Sequence, residues 1–449
     1  MSTIETEVLT HALAERSSSL CYEDLPSEVI EIARQCLLDL FGVTLGGSSQ
    51  DAPRALLEVL GAGPEAKRGI ATVVGHRARL PPLQAALVNG VSSHVLDFDD
   101  VNIAFLGHVS ACVFGAALAL AEQLEADASA LLAAFVAGYE TACRIAVAVG
   151  PEPYLRGYHA TGTMGTFGAA AACARLLGLD AAATAVATGI AASEAAGLKC
   201  NIGTMTKSLH AGKACENGLL AASLAARGFS ASPGAIEGAQ GFAAVVGGGC
   251  EAAAALAEPR CGWHLRDNLF KYHASCFFTH SMIEGVRELM TSGRLRLEQI
   301  EQVSVHVSEL ELGTCVIPEP RTGLEVKFSL AHLAAMSLLG RATSTIADED
   351  ARDQEVIALR SKVVLVEDGV AGQPTRVDVT LRGGEALSAC HDVSTPTLAL
   401  DDQRQRLAQK FIPLAEAALG SSAALRLLEA LSGLEPGGNV RSLMACARP

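Results

Sequence analysis

The feature that most constrains the fold is a succession of helical stretches that are apolar on nearly every face and built largely from small residues. Residues 111–124 and 128–149 are long stretches of this kind, separated by Ala126-Asp127. Residues 28–45 precede them, started by Pro26-Ser27 and stopped by Gly46-Gly47, with Val29, Ile32, Leu37, Leu38 and Phe41 at roughly helical spacing. Residues 166–177, 181–195 and 217–227 follow, the last ended by Gly228. Helices without a polar face have no solvent side, so they belong inside a bundle. Aromatics make up 4% of a chain that is 50% hydrophobic. That favours closely packed helices with small contact residues over an aromatic-rich β core.

The character changes after Cys261-Gly262-Trp263. Residues 302–308 alternate with period two and are β-branched, which predicts a strand. Residues 362–366 and 376–381 read the same way, and Gly383-Gly384 turns the last of these into 386–390 as a hairpin. Residues 328–339 are helical, and helical patterning returns at Asp401 through 414–419 and 423–431. The expected fold is therefore mainly α: a large all-helical domain (1–266 and 398–449) with an inserted smaller α+β lid domain (267–397).

Charge and cysteine usage narrow the function classes. Thirty-four basic residues against 49 acidic ones give a net charge of −15, which argues against nucleic acid and anionic membrane surfaces as partners. The 13 cysteines are scattered without a CxxC pair, as expected of reduced thiols in a cytoplasmic protein. The close ligand spacings of zinc or iron–sulfur sites are missing, so no metal is expected. The acidic segment 1–7 lacks the basic region of a secretory signal. The apolar run 111–121 is too short to cross a bilayer and is followed by Glu122 and Glu125.

Five polar clusters interrupt this background. His94-Val95-Leu96-Asp97-Phe98-Asp99-Asp100, followed by His108, packs three carboxylates and two imidazoles into fifteen residues. Alone it could be a solvated acidic turn, but these are proton-transfer groups that gain catalytic pKa values in partly dry surroundings. His159 lies in the Gly/Thr segment 156–163, read as a loop ahead of a buried helix. Lys207 lies in the run 203–213, where a phosphate-loop reading fails because Ala214 stands where Ser or Thr must contact magnesium. A cationic clamp for carboxylate suits it better. Lys271, Cys276 and His280 form the fourth cluster, and Cys276 and His280 lack companion metal ligands. Lys327 to His332 form the fifth.

Taken in order, these segments resemble the MmgE/PrpD family of 2-methylcitrate dehydratases, cis-aconitate decarboxylases and iminodisuccinate epimerase. The resemblance runs through 94–100 with His108, Gly157-Tyr158-His159, Thr206-Lys207-Ser208-Leu209-His210, Gly228-Phe229-Ser230-Ala231, 237–242, 271–280 and 328–332. It implies a cofactor-free homodimeric enzyme acting on a small polycarboxylate, with a site between a helical domain and a lid. The family's polar pocket positions map to Asp97, His108, His159, Lys207 and Lys271. Three positions depart from the pattern: Val101 replaces a frequent Thr, Cys276 replaces the His of animal cis-aconitate decarboxylases, and His332 replaces a frequent Tyr. The last two change the donors around the reacting carbon. The resemblance therefore ranks a 2-methylcitrate dehydratase-like hydro-lyase first, an iminodisuccinate epimerase-like enzyme second and a cis-aconitate decarboxylase third. A non-catalytic carboxylate-binding protein comes last.

On this reading Asp97, His108, His159 and Lys207 are catalytic. Lys271, Cys276, His332 and Lys199 contact substrate. His159 and His108 form the acid/base pair, and Asp97 orients one imidazole and holds it charged. Lys207 and Lys271 hold carboxylates and stabilise an enolate-like or aci-carboxylate intermediate.

Overall fold

A computed structural model of the protein describes residues 8–63, 66–370 and 373–449. The acidic segment 1–7, read above for targeting, lies outside the described residues. The chain divides into two compact units. One comprises the chain up to Cys200 with Met205–Phe270 and Thr397–Pro449, and the other Asn201–Thr204 with Lys271–Pro396.

The first unit is helical. Its centre is made of Pro82–His94, Val109–Leu124, Ala128–Val149, Ala160–Leu176 and Met205–Ala225. Met205–Ala225 packs along both Pro82–His94 and Ala160–Leu176. These contacts are made by backbone as much as by side chain. A Cβ added at Gly90 would stand 2.8 Å from Cys215 Sγ and 2.8 Å from Gly212 Cα. One added at Gly218 would meet Ala169 Cβ at 2.4 Å and the Ala170 backbone nitrogen at 2.6 Å. Such seams bring helix axes closer than branched side chains permit. Ala128–Val149 is long and apolar enough to cross a bilayer, but 94% of its most apolar window is buried inside the protein.

The second unit carries a four-stranded sheet in the order Val363–Glu367, Ile300–Val307, Thr375–Leu381, Ala386–His391. The first pair is parallel and the others antiparallel. Val303, Val305, Val377 and Val379 point into a core shared with Met282, Ile283, Val286 and Leu333 from the helices His280–Thr291 and Leu330–Leu338. The alternation read from the sequence is thus the inward face of the sheet. The hairpin turns at Gly383 and Gly384, whose φ values of +109° and +89° require glycine.

Two local expectations change. The helix placed at 217–227 begins at Met205, so the polar run around Lys207 is helical. His159 does end a short non-helical stretch ahead of a buried helix, but Thr161-Gly162-Thr163 of that segment already form the first turn of Ala160–Leu176.

Candidate active site

Four helix ends place the polar groups of the first unit. His94 is the last residue of Pro82–His94. His108 and His159 immediately precede Val109–Leu124 and Ala160–Leu176, and Lys207 is the third residue of Met205–Ala225. A lysine in a first turn opposes the helix dipole, so a buried one there needs a partner. Lys207 Nζ donates to Asp97 Oδ1 at 2.9 Å and lies 3.0 Å from His94 Nε2. The Gly90–Gly212 seam makes this reach possible, because it sets the approach of the two helices that carry His94 and Lys207.

The loop between His94 and His108 supplies the anions. Asp97 sits in the left-handed region with φ of +50°, a conformation that non-glycine residues keep only when surrounding contacts hold it. Asp99 Oδ2 lies 2.9 Å from His94 Nδ1 and 3.1 Å from His108 Nδ1. His108 Nε2 is 3.5 Å from Asp97 Oδ1. All of these groups are buried. One donor atom from each of His94, Asp97, Asp99 and His108 falls within 4.8 Å of the others. Such a constellation attracts a cation, and the Lys207 ammonium supplies one.

The protonation pattern follows from burial. Desolvation, opposed by Asp99 and reinforced by the Lys207 charge, pulls His94 down to about 3. A neutral His94 satisfies both contacts if Nδ1–H donates to Asp99 and bare Nε2 accepts from Lys207. Burial alone would raise the Asp99 carboxyl, but His108 and His94 overturn that and hold it well below the carboxylate range. His159, whose ring stacks 5.7 Å from that of His94, is held well below its ordinary value by desolvation and then by Lys207. His159 is therefore an uncharged imidazole beside a cation.

The sequence reading passed over His94, Asp99 and His210. His94 and Asp99 were in plain view in the first cluster. His210 lies one helical turn beyond Lys207, on the same face, and its Nδ1 is 3.0 Å from that of His159. The last acid of the run behaves differently. Asp100 faces a separate buried set, accepting from Ser110 at 2.7 Å and Asn268 at 3.0 Å. Desolvation and nearby Asp39 push it up to about 7.

The remaining expected residues are Lys199 in the helical unit and Lys271, Cys276 and His332 in the second. Lys199 places its ammonium 3.7 Å over the Tyr154 ring. In the second unit Lys271 is fully buried and donates to the Ser275 carbonyl at 3.0 Å. Cys276 is buried, and its backbone N–H bonds to the Lys327 carbonyl. His332 is enclosed, with Nε2 3.0 Å from the Asp350 carbonyl and Nδ1 3.5 Å from Arg360. A contact with substrate would require this ring to give up those bonds.

Comparison with known proteins adds an independent line. The MmgE/PrpD N-terminal domain model matches residues 11–254 and the C-terminal domain model residues 273–435. A cis-aconitate decarboxylase from Aspergillus terreus is 29% identical over 74% of this chain and 72% of its own length. The cis-aconitate decarboxylase-like protein oryM of Aspergillus oryzae is 27% identical over 94% of this chain and 93% of its own. The Homo sapiens cis-aconitate decarboxylase is 37% identical over a shorter stretch, 37% of this chain and 35% of its own.

Proposed function

The chain belongs to the MmgE/PrpD family and is an enzyme of the lyase class, and from that premise we propose that it removes carbon dioxide from a small unsaturated tricarboxylate of the cis-aconitate type. The observation that carries this reading is one buried cluster in which the Lys207 ammonium is held by Asp97 and His94, and an uncharged imidazole, His159, stacks on His94. The relatives' activity supports it.

In such a substrate the bond between the CH2 group and its carboxylate breaks and carbon dioxide leaves. The bonding pair forms a new terminal C=C. The former double-bond pair moves to the adjacent CH, conjugated with its carboxylate as an aci-carboxylate, and one proton is added at that carbon. Lys207 neutralises the charge that accumulates on the aci-carboxylate, an interaction strongest in the transition state. His159 delivers the proton from Nε2, for which a neutral imidazole suffices when a strong carbon base is waiting. His94 and Asp99 hold Lys207 and His108 in place. The ends of Val109–Leu124 and Ala160–Leu176 direct helix N-termini at an anionic substrate. Lys271 is proposed as a second carboxylate-binding residue.

Dehydration of a 2-methylcitrate-type substrate is the second reading, favoured by Cys276, at a position that is His in the animal decarboxylases, and by His332, where a Tyr is frequent in the family. Proton NMR in D2O with cis-aconitate and 2-methylcitrate separates the two. Decarboxylation gives two new vinylidene protons and a single deuteron in the neighbouring CH2. Loss of water from 2-methylcitrate with cis-aconitate untouched sinks the first reading, and silence from both sinks the substrate class. A homodimer is proposed alongside, with exposed Phe229 and Val245 on a groove of the helical unit as the apolar face it would cover. Light scattering that finds only monomer at micromolar concentration removes it.

A further inference from the structure

His159 and His210 meet through the same atom of each ring. The two Nδ1 nitrogens are 3.0 Å apart, with ring centroids at 5.2 Å and planes tilted by 54°. Two lone pairs at that distance repel and two N–H groups collide, so one proton lies between the rings. In the neutral pair the rings then carry opposite tautomers. Whichever ring donates from Nδ1 has a bare Nε2, and the other carries its proton on Nε2.

The surroundings fix this contact firmly. The His159 backbone N–H donates to the Gly197 carbonyl at 3.0 Å. A Cβ at Gly197 would stand 3.2 Å from His210 Cγ and 3.3 Å from its Nδ1, and one at Gly162 would stand 3.0 Å from His210 Cβ. The two glycines leave a slot that the His210 ring fills. His159 is 4% exposed and His210 9%, so of the two rings His210 keeps more contact with the exterior. The charged and titratable groups that bear on the pair are Lys207, His94 and His108 for His159, and Lys207 for His210.

We propose that His210 is the relay partner of His159, replacing through Nδ1 the proton that His159 delivers from Nε2. This rests on the acid role given to His159 above. In the loaded state His159 carries Nε2–H and its bare Nδ1 accepts from His210 Nδ1–H. As the Nε2 proton passes to the substrate carbon, the shared proton moves to His159 Nδ1, and His210 takes a proton from water at Nε2. Neither ring is left as imidazolate. One proton enters at His210 and one leaves at His159. Between turnovers the polarity is restored by uptake from water at His159 Nε2 and release at His210 Nε2. His210 touches no reacting atom, so it is a positioning and relay residue.

Two measurements test this. In the protein labelled with 15N-histidine, the relay requires a nitrogen–nitrogen coupling across the His159–His210 hydrogen bond and opposite tautomers in the two rings. Like tautomers or no coupling overturn it, whatever the enzyme turns over. The second uses His210→Asn, whose amide can occupy the Nδ1 position but cannot pass a proton. The expected result is kcat lower by about 100-fold with an unchanged KM and melting temperature, and, in His210→Ala, which empties the slot, recovery of about tenfold or more of a like loss with added imidazole. Wild-type kcat in His210→Asn overturns the relay, as does a loss in His210→Ala that imidazole does not restore. If the wild-type protein turns over neither tricarboxylate, the function proposed above falls, and the nitrogen coupling still decides whether the pair shares a proton.

Discussion

The two faces of the Asp97–Asp100 loop use the same ingredients to opposite ends. On one face Lys207 pairs with Asp97 among imidazoles. On the other, Lys410 pairs with Asp39 at 2.6 Å, donates to the Phe98 carbonyl at 2.7 Å and stacks 4.0 Å over the Phe98 ring. Both lysines are buried and both lie beside a carboxylate. The Lys410 partners are an acid, a backbone carbonyl and a ring face, none of which has reason to change protonation in turnover. The Lys207 partners include His94 and, through it, Asp99 and His108, groups that exchange protons readily. A buried charge thus fastens the loop on one side and is available for chemistry on the other.

The comparison can be broken in several ways. The largest expected effect is on turnover. Lys207→Ala lowers kcat/KM by about 1000-fold, measured with whichever tricarboxylate the NMR assay identifies. A variant within tenfold of wild type would make the two lysines equivalent. Next comes Lys410→Met, which strands Asp39 in the interior and costs about 3 kcal/mol or more of stability. Urea denaturation measures the loss, and adding Asp39→Asn to the same chain restores most of it. If Lys410→Met instead abolished turnover at full stability, the fastening role would be wrong.

Acid titration sharpens the contrast, because the two faces respond with opposite sign. His94 sits at about 3 in the folded protein, below the ordinary value of 6.5. The stability it contributes is present above pH 6.5 and is lost as pH falls toward 3, about 2 kcal/mol by pH 5. Asp100 is raised to about 7 from 3.8, so its burial costs stability above pH 7, and that cost fades as pH falls from 7 toward 3.8. Asp100→Asn is therefore more stable than wild type at pH 8, and its stability declines more steeply between pH 6.5 and 5. Urea midpoints at pH 8, 6.5 and 5 that move in parallel for the two proteins would contradict this.

The smallest effect is expected at the seam. Gly90→Ala forces a methyl against Cys215 Sγ and Gly212 and costs roughly 1–2 kcal/mol. Because it also shifts Lys207 relative to His94, kcat falls by about tenfold or more. A variant that loses stability while keeping full kcat would uncouple seam from site.

Much of this was legible in the sequence, for physical reasons. Residues 128–149 were read as a helix and form one without adjustment, because an apolar stretch bounded by Asp127 and Gly150 has local signals at both ends. Val303, Val305, Val377 and Val379 gave their inward face away by alternation. The start of Met205–Ala225 is invisible because Thr206, Lys207, Ser208 and His210 break the apolar pattern. Asp97, His108 and Lys207 could be singled out by type, and the structure brings them together. His94 could not be ranked above its neighbours, since its meaning comes from Lys207, 113 positions away. Nor does any local signal separate Asp100 from Asp97 and Asp99, because adjacent loop residues can face different interiors.

The Gly90–Gly212 seam has a consequence for how such an enzyme can diversify. Where side chains separate two helices, repacking can change their distance by fractions of an ångström. Where backbone meets backbone there is no rotamer to exchange and nothing left to trim. The spacing between His94 and Lys207 therefore acts as a fixed gauge. Substitutions that enlarge the site have to come from elsewhere around it. Selection for a new substrate should leave Gly90 and Gly212 untouched even while it rewrites the residues that contact the substrate's far end.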